Sequence, residues 1–143
     1  GDDTDSHIDT LARFAPADTI VYTGCSDPAD EHFDQLRAMA TQLAEMRTAD
    51  GNPYNLVELP LPDAIYDDEG ERLPATYANF LPLNGAILMP VYGQPQKDRL
   101  ACDTMRVAFD GFDIVPVDCR ALIRQHGSLH CATMQFPLKA IIL

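Results

Sequence analysis

The sequence predicts an α/β protein built from strand-strand-helix-strand units, and three observations carry that prediction. Short runs rich in β-forming residues alternate with longer stretches of helical periodicity. The order of these elements occurs twice, at roughly 8–59 and 76–117. Proline, glycine and asparagine fall at the places where each unit must turn.

In the first unit, residues from Ile8 to about Phe14 read as a strand. Ala15-Pro16-Ala17-Asp18 follows as a turn and Thr19-Ile20-Val21-Tyr22-Thr23 as a second strand, dense in β-branched and aromatic residues. Asp27-Pro28 offers a cap and a first-turn proline for a helix. Phe33, Leu36, Ala40, Leu43 and Met46 then recur at spacings of three and four, which gives that helix one apolar stripe. Gly51-Asn52-Pro53 should stop it, and Tyr54 to Leu59 reads as a third strand.

Pro60 to Pro74 is a proline-punctuated loop that includes the acidic run Asp67, Asp68, Glu69 and Glu71. Thr76 to Pro82 reads as the next strand, Leu83-Asn84-Gly85 as a hairpin turn and Ala86 to Val91 as its partner strand. Pro95 opens a helix to about Phe109, with Leu100, Thr104 and Ala108 on one face and Gly111 as its stop. Asp113 to Val117 closes the second unit as a strand. A final segment adds a short helix (Arg120 to Gln125), a Gly127-Ser128 turn and a strand around Cys131. Units that cannot bury their faces alone imply a ring or a solenoid, and two are too few to close a ring. With the polar, capless start Gly1 to Asp5, this predicts the last part of a longer chain.

The 143 residues suit one domain or a piece of one, and 46% apolar content is that of a globular protein. No uninterrupted apolar run is long enough for a membrane-spanning helix. No charged start leads into an apolar core as in a signal peptide, and no membrane partner is expected; the expectation of a cytoplasmic protein comes from the cysteines. Ten Lys and Arg against 22 Asp and Glu leave a net charge of −12. That balance disfavours nucleic acid, whose phosphates need cationic partners, and suits a cationic ligand. Solubility alone also accounts for it. Cys25, Cys102, Cys119 and Cys131 form no CxxC or zinc-like pattern and read as reduced thiols.

Two places carry chemistry. His7-Ile8-Asp9 at the start of a strand would put an imidazole and a carboxylate on one face, because strand side chains alternate. A surface histidine beside a solvated acid is the commoner outcome of that spacing. Gly127-Ser128-Leu129-His130-Cys131 puts a thiol after a turn whose backbone amides could point at a ligand, although most cysteines are simply buried. In an extended segment His130 faces away from Cys131, so His7 is the expected partner through space. His126 and His130 have helical ligand spacing, but Gly127 argues against a continuing helix and hence against a metal site.

Asp3-Thr4-Asp5-Ser6-His7-Ile8-Asp9 followed by Leu11 to Phe14 closely resembles the TDGHxD…RF stretch of agmatine deiminases. Tyr77-Ala78-Asn79-Phe80, Asn84-Gly85 and Pro90-Val91-Tyr92-Gly93 resemble their YxNF…NG…PxFG stretch, and Gly127 to Pro137 resembles their GxxHCxTxQxP ending. Ser6 departs from the usual glycine, and Gly-Ser precedes Leu-His-Cys where relatives often carry a glycine run. The resemblance is to the guanidine-modifying enzymes, which also include the bacterial-type peptidylarginine deiminases.

The resemblance implies a five-fold α/β propeller, the pentein fold, of which residues 1–143 would be an incomplete C-terminal portion of one catalytic domain, with the nucleophile segment at 118–143. It implies Cys131 as nucleophile, His7 as general acid/base and Asp9 as a carboxylate that binds the guanidinium. It implies no metal and no organic cofactor. The substrate would be a small cationic guanidine, most plausibly agmatine on the way to putrescine and the polyamines, hydrolysed to a ureido product and ammonia. Peptidylarginine is the alternative substrate. A non-catalytic scaffold and amidino transfer to an amine are the alternative functions. Further guanidinium-binding carboxylates of the family lie upstream of this stretch, so the isolated chain is expected to be inactive or very slow. The missing N-terminal part of the same chain is an expected partner, and exposed apolar surface at an open end favours a homo-oligomer.

Overall fold

The structure is a computed structural model that describes residues 7–136. The polar start Gly1–Asp5, the Ser6 departure and Pro137 of the last motif lie outside the described residues. Two three-stranded sheets form, each with one antiparallel and one parallel pair. In the first, β1 (Ala12–Ala15) pairs antiparallel with β2 (Thr19–Thr23), α1 (Phe33–Glu45) crosses over, and β3 (Asn55–Leu59) returns parallel to β2. In the second, β4 (Leu81–Leu83), β5 (Ala86–Val91), α2 (Pro95–Ala108) and β6 (Asp113–Asp118) repeat that order and pairing.

The repeat extends to single hydrogen bonds. The last residue of each hairpin turn offers its carbonyl to the first residue of the third strand: Asp18 O accepts from Asn55 N at 2.9 Å, and Gly85 O from Asp113 N at 3.0 Å. Each parallel pair is extended by one bond past its last ladder residues: Gly24 N, after β2, donates to Leu59 O, and Cys119 N, after β6, donates to Val91 O, both at 2.9 Å. Asn84-Gly85 closes the second hairpin as its sequence predicts, with Gly85 at φ 84° where a side chain would be strained. The first hairpin achieves its turn with Ala17 and Asp18 at φ 56° and 51°, and the Asn55 amide donates to Ala17 O at 2.9 Å.

Four expectations are corrected. The first strand is shorter than Ile8 to Phe14, because Ile8–Thr10 winds into a 3-10 turn with the Thr10 hydroxyl bonded to His7 O at 2.7 Å. The strand expected from Thr76 shrinks to Leu81–Leu83, because side chains rather than a neighbouring strand satisfy both backbone groups of Thr76 and the N–H of Ala78. Helix α1 starts at Phe33, not after Pro28. The Asp27 and Asp30 carboxylates instead cap local turns by accepting from Ala29 N and His32 N, each at 2.9 Å. It ends at Glu45, ahead of Gly51-Asn52-Pro53, which leaves Met46 outside the helix and exposed. The segment around Cys131 is a 3-10 turn (His130–Ala132), and the short helix before it is also a 3-10 turn (Leu122–Gln125).

The main core joins both units. Val21, Leu59, Phe80, Ile87, Met89, Met105 and Ile123 are fully buried in it. Leu36 and Leu43 of the expected stripe bury one face of α1. On α2 the inward face is Ala101, Cys102 and Met105, with Ala108 partly buried, whereas Leu100 points outward at 55% exposure. No helix among the described residues is long and apolar enough to cross a membrane.

This facing predicts a sharp contrast. Met105→Ala should cost about 2–5 kcal/mol through the cavity it leaves, and Leu100→Ala should stay within about 0.5 kcal/mol of the parent. Denaturant midpoints at constant m-value measure both.

Candidate active site

The site rests on the irregular segment between the two units. Thr76, Tyr77, Ala78, Asn79 and Phe80 are buried although they belong to no strand, so each polar group there needs a partner. Tyr92, in the loop after β5, supplies two of them. Its hydroxyl accepts from Thr76 N at 3.0 Å and donates to Thr76 O at 2.8 Å, and it also meets Ser128 Oγ at 2.8 Å. The Thr76 hydroxyl donates to Thr10 O at 2.7 Å and lies 3.0 Å from Thr23 Oγ1. Burial pushes the Tyr92 phenol above its ordinary pKa, so it remains a neutral hydroxyl. This network ties residues 10, 23, 76, 92 and 128 together, and every segment that carries a candidate side chain is anchored to it.

Asn79 is the joint of the site. Its side-chain oxygen accepts from the backbone N–H of His130 at 2.8 Å and of Cys131 at 3.3 Å. Its side-chain nitrogen donates to Asp9 O at 3.2 Å, to Asp9 Oδ2 at 3.0 Å and towards Cys131 Sγ at 3.3 Å. A single buried amide therefore holds the Asp9 turn against the Cys131 turn. Cys131 Sγ–H points to Asp9 Oδ2 at 3.8 Å, and His130 Nδ1–H donates to the same oxygen at 2.6 Å. Among the described residues, the side-chain contacts of Asp9 all fall on Oδ2.

The electrostatics follow from these contacts. Partial burial alone would raise the Asp9 carboxyl. The hydrogen bond and charge of His130, the Asn79 amide and the more distant Arg13 outweigh it and hold Asp9 below the usual carboxylate range. Arg13 itself is drawn below its ordinary value chiefly by burial, against the opposing pull of Asp9 and Cys131.

Of the three residues singled out from sequence, the structure brings Asp9 and Cys131 together and leaves Cys131 exposed. His7 is exposed, and its carbonyl accepts from Thr10. The picture of His7 and Asp9 on one face of a strand does not hold, because the chain coils at Ile8 and strict alternation is lost. The amides of His130 and Cys131 are not free for a ligand, since Asn79 takes both. His130 does not turn away. A 3-10 turn rotates successive side chains by about a third of a circle, and that puts His130 on Asp9. His126, in a left-handed conformation, borders a different, acidic pocket, and no cluster of three metal-ligating side chains occurs among the described residues. All four cysteines are free thiols, with Cys102 and Cys119 buried. Asn79 escaped the sequence reading as a site residue. The available signal was an amide set among Tyr77, Ala78 and Phe80, where a polar group must find partners.

Gly127 permits the close turn. A Cβ there would lie 3.0 Å from Cys131 Cβ and 3.6 Å from its sulfur.

Fold and site together define an α/β protein of duplicated strand-strand-helix-strand units with an exposed thiol beside a hydrogen-bonded carboxylate. Residues 1–137 match the Porphyromonas-type peptidyl-arginine deiminases, and the chain belongs to that family. A crystal structure described as the "Putative Arginine Deiminase from Porphyromonas gingivalis" is 54% identical and superposes with a TM-score of 0.90, over 95% of this chain and 40% of that one. An agmatine deiminase of C. jejuni, solved as a cysteine-to-serine variant with substrate bound, is 42% identical with a TM-score of 0.80, over 90% of this chain and 36% of that one. A Legionella pneumophila (strain Paris) protein named "Putative agmatine deiminase" is 32% identical over 137 residues, which is 96% of this chain and 39% of that protein. The chain thus spans about two fifths of the length of these relatives.

Because the folded Asp9 carboxyl lies below its ordinary value of 3.8, its contribution to stability is present above that value and is lost as pH falls through the lower folded one. Urea midpoints measured from roughly pH 6 down to roughly pH 3 should therefore fall less steeply for Asp9→Asn than for the parent.

Proposed function

We propose that this chain supplies the nucleophile-bearing part of a guanidine-hydrolysing centre, in which Cys131 attacks, His7 moves protons and Asp9 holds the substrate. The observation that carries the reading is the meeting of Cys131 Sγ and Asp9 Oδ2 at 3.8 Å, across 122 residues of sequence. A carboxylate whose negative charge faces an exposed thiol opposes ionisation of that thiol and does nothing for the packing of the turn. It becomes useful when a planar cation lies between them.

A guanidinium is resonance-stabilised and positively charged. Asp9 accepts charge-assisted hydrogen bonds from its N–H groups, which orients the plane of the cation. The Cys131 thiolate then adds to the central carbon and forms a C–S bond. The resulting tetrahedral centre expels one nitrogen, which leaves as ammonia after His7 gives it a proton. An amidino-thioether remains on Cys131. His7 takes a proton from water, the oxygen adds to the same carbon, and the C–S bond breaks to return the thiolate. The sum is guanidinium plus water to a ureido group plus ammonium. Asn79 keeps Asp9 and Cys131 in register throughout, because its amide is bonded to both turns.

Agmatine is the proposed substrate, supported by the names of the C. jejuni and Legionella relatives. Peptidylarginine is the second reading, favoured by the family to which the chain belongs. The two units are proposed as blades of a five-fold α/β propeller whose other blades lie beyond residues 1–143.

The reading predicts selective capture of a cationic amidine electrophile. With 2-chloroacetamidine on the 143-residue chain, Cys131 should label at least roughly tenfold faster than the half-buried Cys25. Peptide mass spectrometry gives both rates in one sample, and equal rates would mark Cys131 as an ordinary thiol of a scaffold.

A further inference from the structure

Arg13 places a fixed cation inside this negative chain's candidate site. It lies on β1, four residues after Asp9. Its guanidinium sits over the Phe80 ring with Cζ 5.0 Å from the centroid, and Nη1 donates to Phe80 O at 2.9 Å. Phe80 follows Asn79, so the segment that clasps Asp9 to Cys131 also holds the guanidinium in place. Among the described residues, Arg13 makes no ion pair with a carboxylate within 4.0 Å. A carbonyl and an aromatic face position the group, and neither neutralises it. The neighbouring Asn79 side chain lies 3.0 Å from Asp9 Oδ2 and 3.3 Å from Cys131 Sγ, so the guanidinium is anchored one residue away from the group that touches both, and its field reaches them.

For folding alone, a half-buried cation without a carboxylate partner is a poor choice, since desolvation opposes it. In a site that must carry negative charge on sulfur during reaction, the same placement is useful. Asp9, hydrogen-bonded to Asn79 and His130, contributes a negative charge 3.8 Å from the sulfur and would repel a thiolate. We propose that Arg13 is an electrostatic positioning residue that offsets the Asp9 carboxylate at Cys131 and so lets the sulfur bear negative charge beside it. This inference rests on the proposed nucleophilic role of Cys131. It concerns the field at the sulfur, not contact with the substrate.

Iodoacetate and iodoacetamide test the field directly. Both alkylate a thiolate by the same step, in which a C–S bond forms and iodide leaves, and they differ by one negative charge. The ratio of their rates at Cys131 cancels both the exposure of the thiol and its ionised fraction. Arg13→Gln keeps an N–H donor towards the Phe80 carbonyl and removes the charge. It should lower the iodoacetate-to-iodoacetamide ratio roughly tenfold, equivalent to about 1.4 kcal/mol. Arg13→Lys keeps the charge and should hold the ratio near the parent value. Arg13→Met, which retains an apolar stem against Phe80, gives a second charge-free chain should the Gln variant not fold. An unchanged ratio in the charge-free variants would overturn the proposal, and so would a ratio in Arg13→Lys as low as in Arg13→Gln. Failure of selective chloroacetamidine capture would instead count against the nucleophile reading, because that measurement does not depend on Arg13 being replaced.

Discussion

One buried amide organises the candidate site. Asn79 has no exposed surface, and its side-chain oxygen and nitrogen are both engaged, the oxygen by two backbone N–H groups and the nitrogen by a carbonyl, a carboxylate and a sulfur. Such an arrangement is directional in a way that apolar packing is not. It specifies which turn lies against which, and with what register. Replacing it by an apolar residue of similar size would remove the side-chain acceptor of the part-buried His130 and Cys131 N–H groups and the donor to Asp9, while His130 N would keep only the main-chain carbonyl of residue 79.

The amide can hold this position only because the chain around it tolerates an irregular, buried path. A strand through residues 76–80 would satisfy its backbone with a neighbour and send alternate side chains to opposite faces. Hydroxyls take the neighbour's place instead. Tyr92 covers both backbone groups of Thr76, and Thr76 in turn reaches Thr10 and Thr23. The two strand-strand-helix-strand units therefore meet through a polar seam set within an apolar core. The seam carries the three turns on which Asp9, Asn79 and Cys131 sit.

Much of this was legible in the sequence. The duplicated element order followed from β-rich runs, the Asn84-Gly85 hairpin and Pro95 at the start of α2, all of which act locally. The resemblance to agmatine deiminases rested on the same segments that converge in space, and the chain's family agrees with it. What periodicity misread were the places where side chains compete with the backbone. Thr10 coils the chain after His7, and Asp27 and Asp30 form turns where a helix start was expected. On α2 periodicity defined the row Leu100, Thr104 and Ala108 without saying which row meets the core, and the buried row is Ala101, Cys102 and Met105. Nothing local could show that His130 meets Asp9 or that Asn79 joins the two turns, since those contacts span 121 and 51 residues.

The central claim is that Asn79 couples the Asp9 turn to the Cys131 turn, and a double-mutant cycle measures that coupling most directly. Unfolding free energies of Asp9→Ala, Asn79→Ala and the double variant, at one pH and salt, give the interaction energy. The account predicts a coupling of about 0.5–3 kcal/mol, with the double variant less destabilised than the two single losses combined. Losses that add within about 0.3 kcal/mol would show that the two side chains act independently, and the account would be wrong at its base.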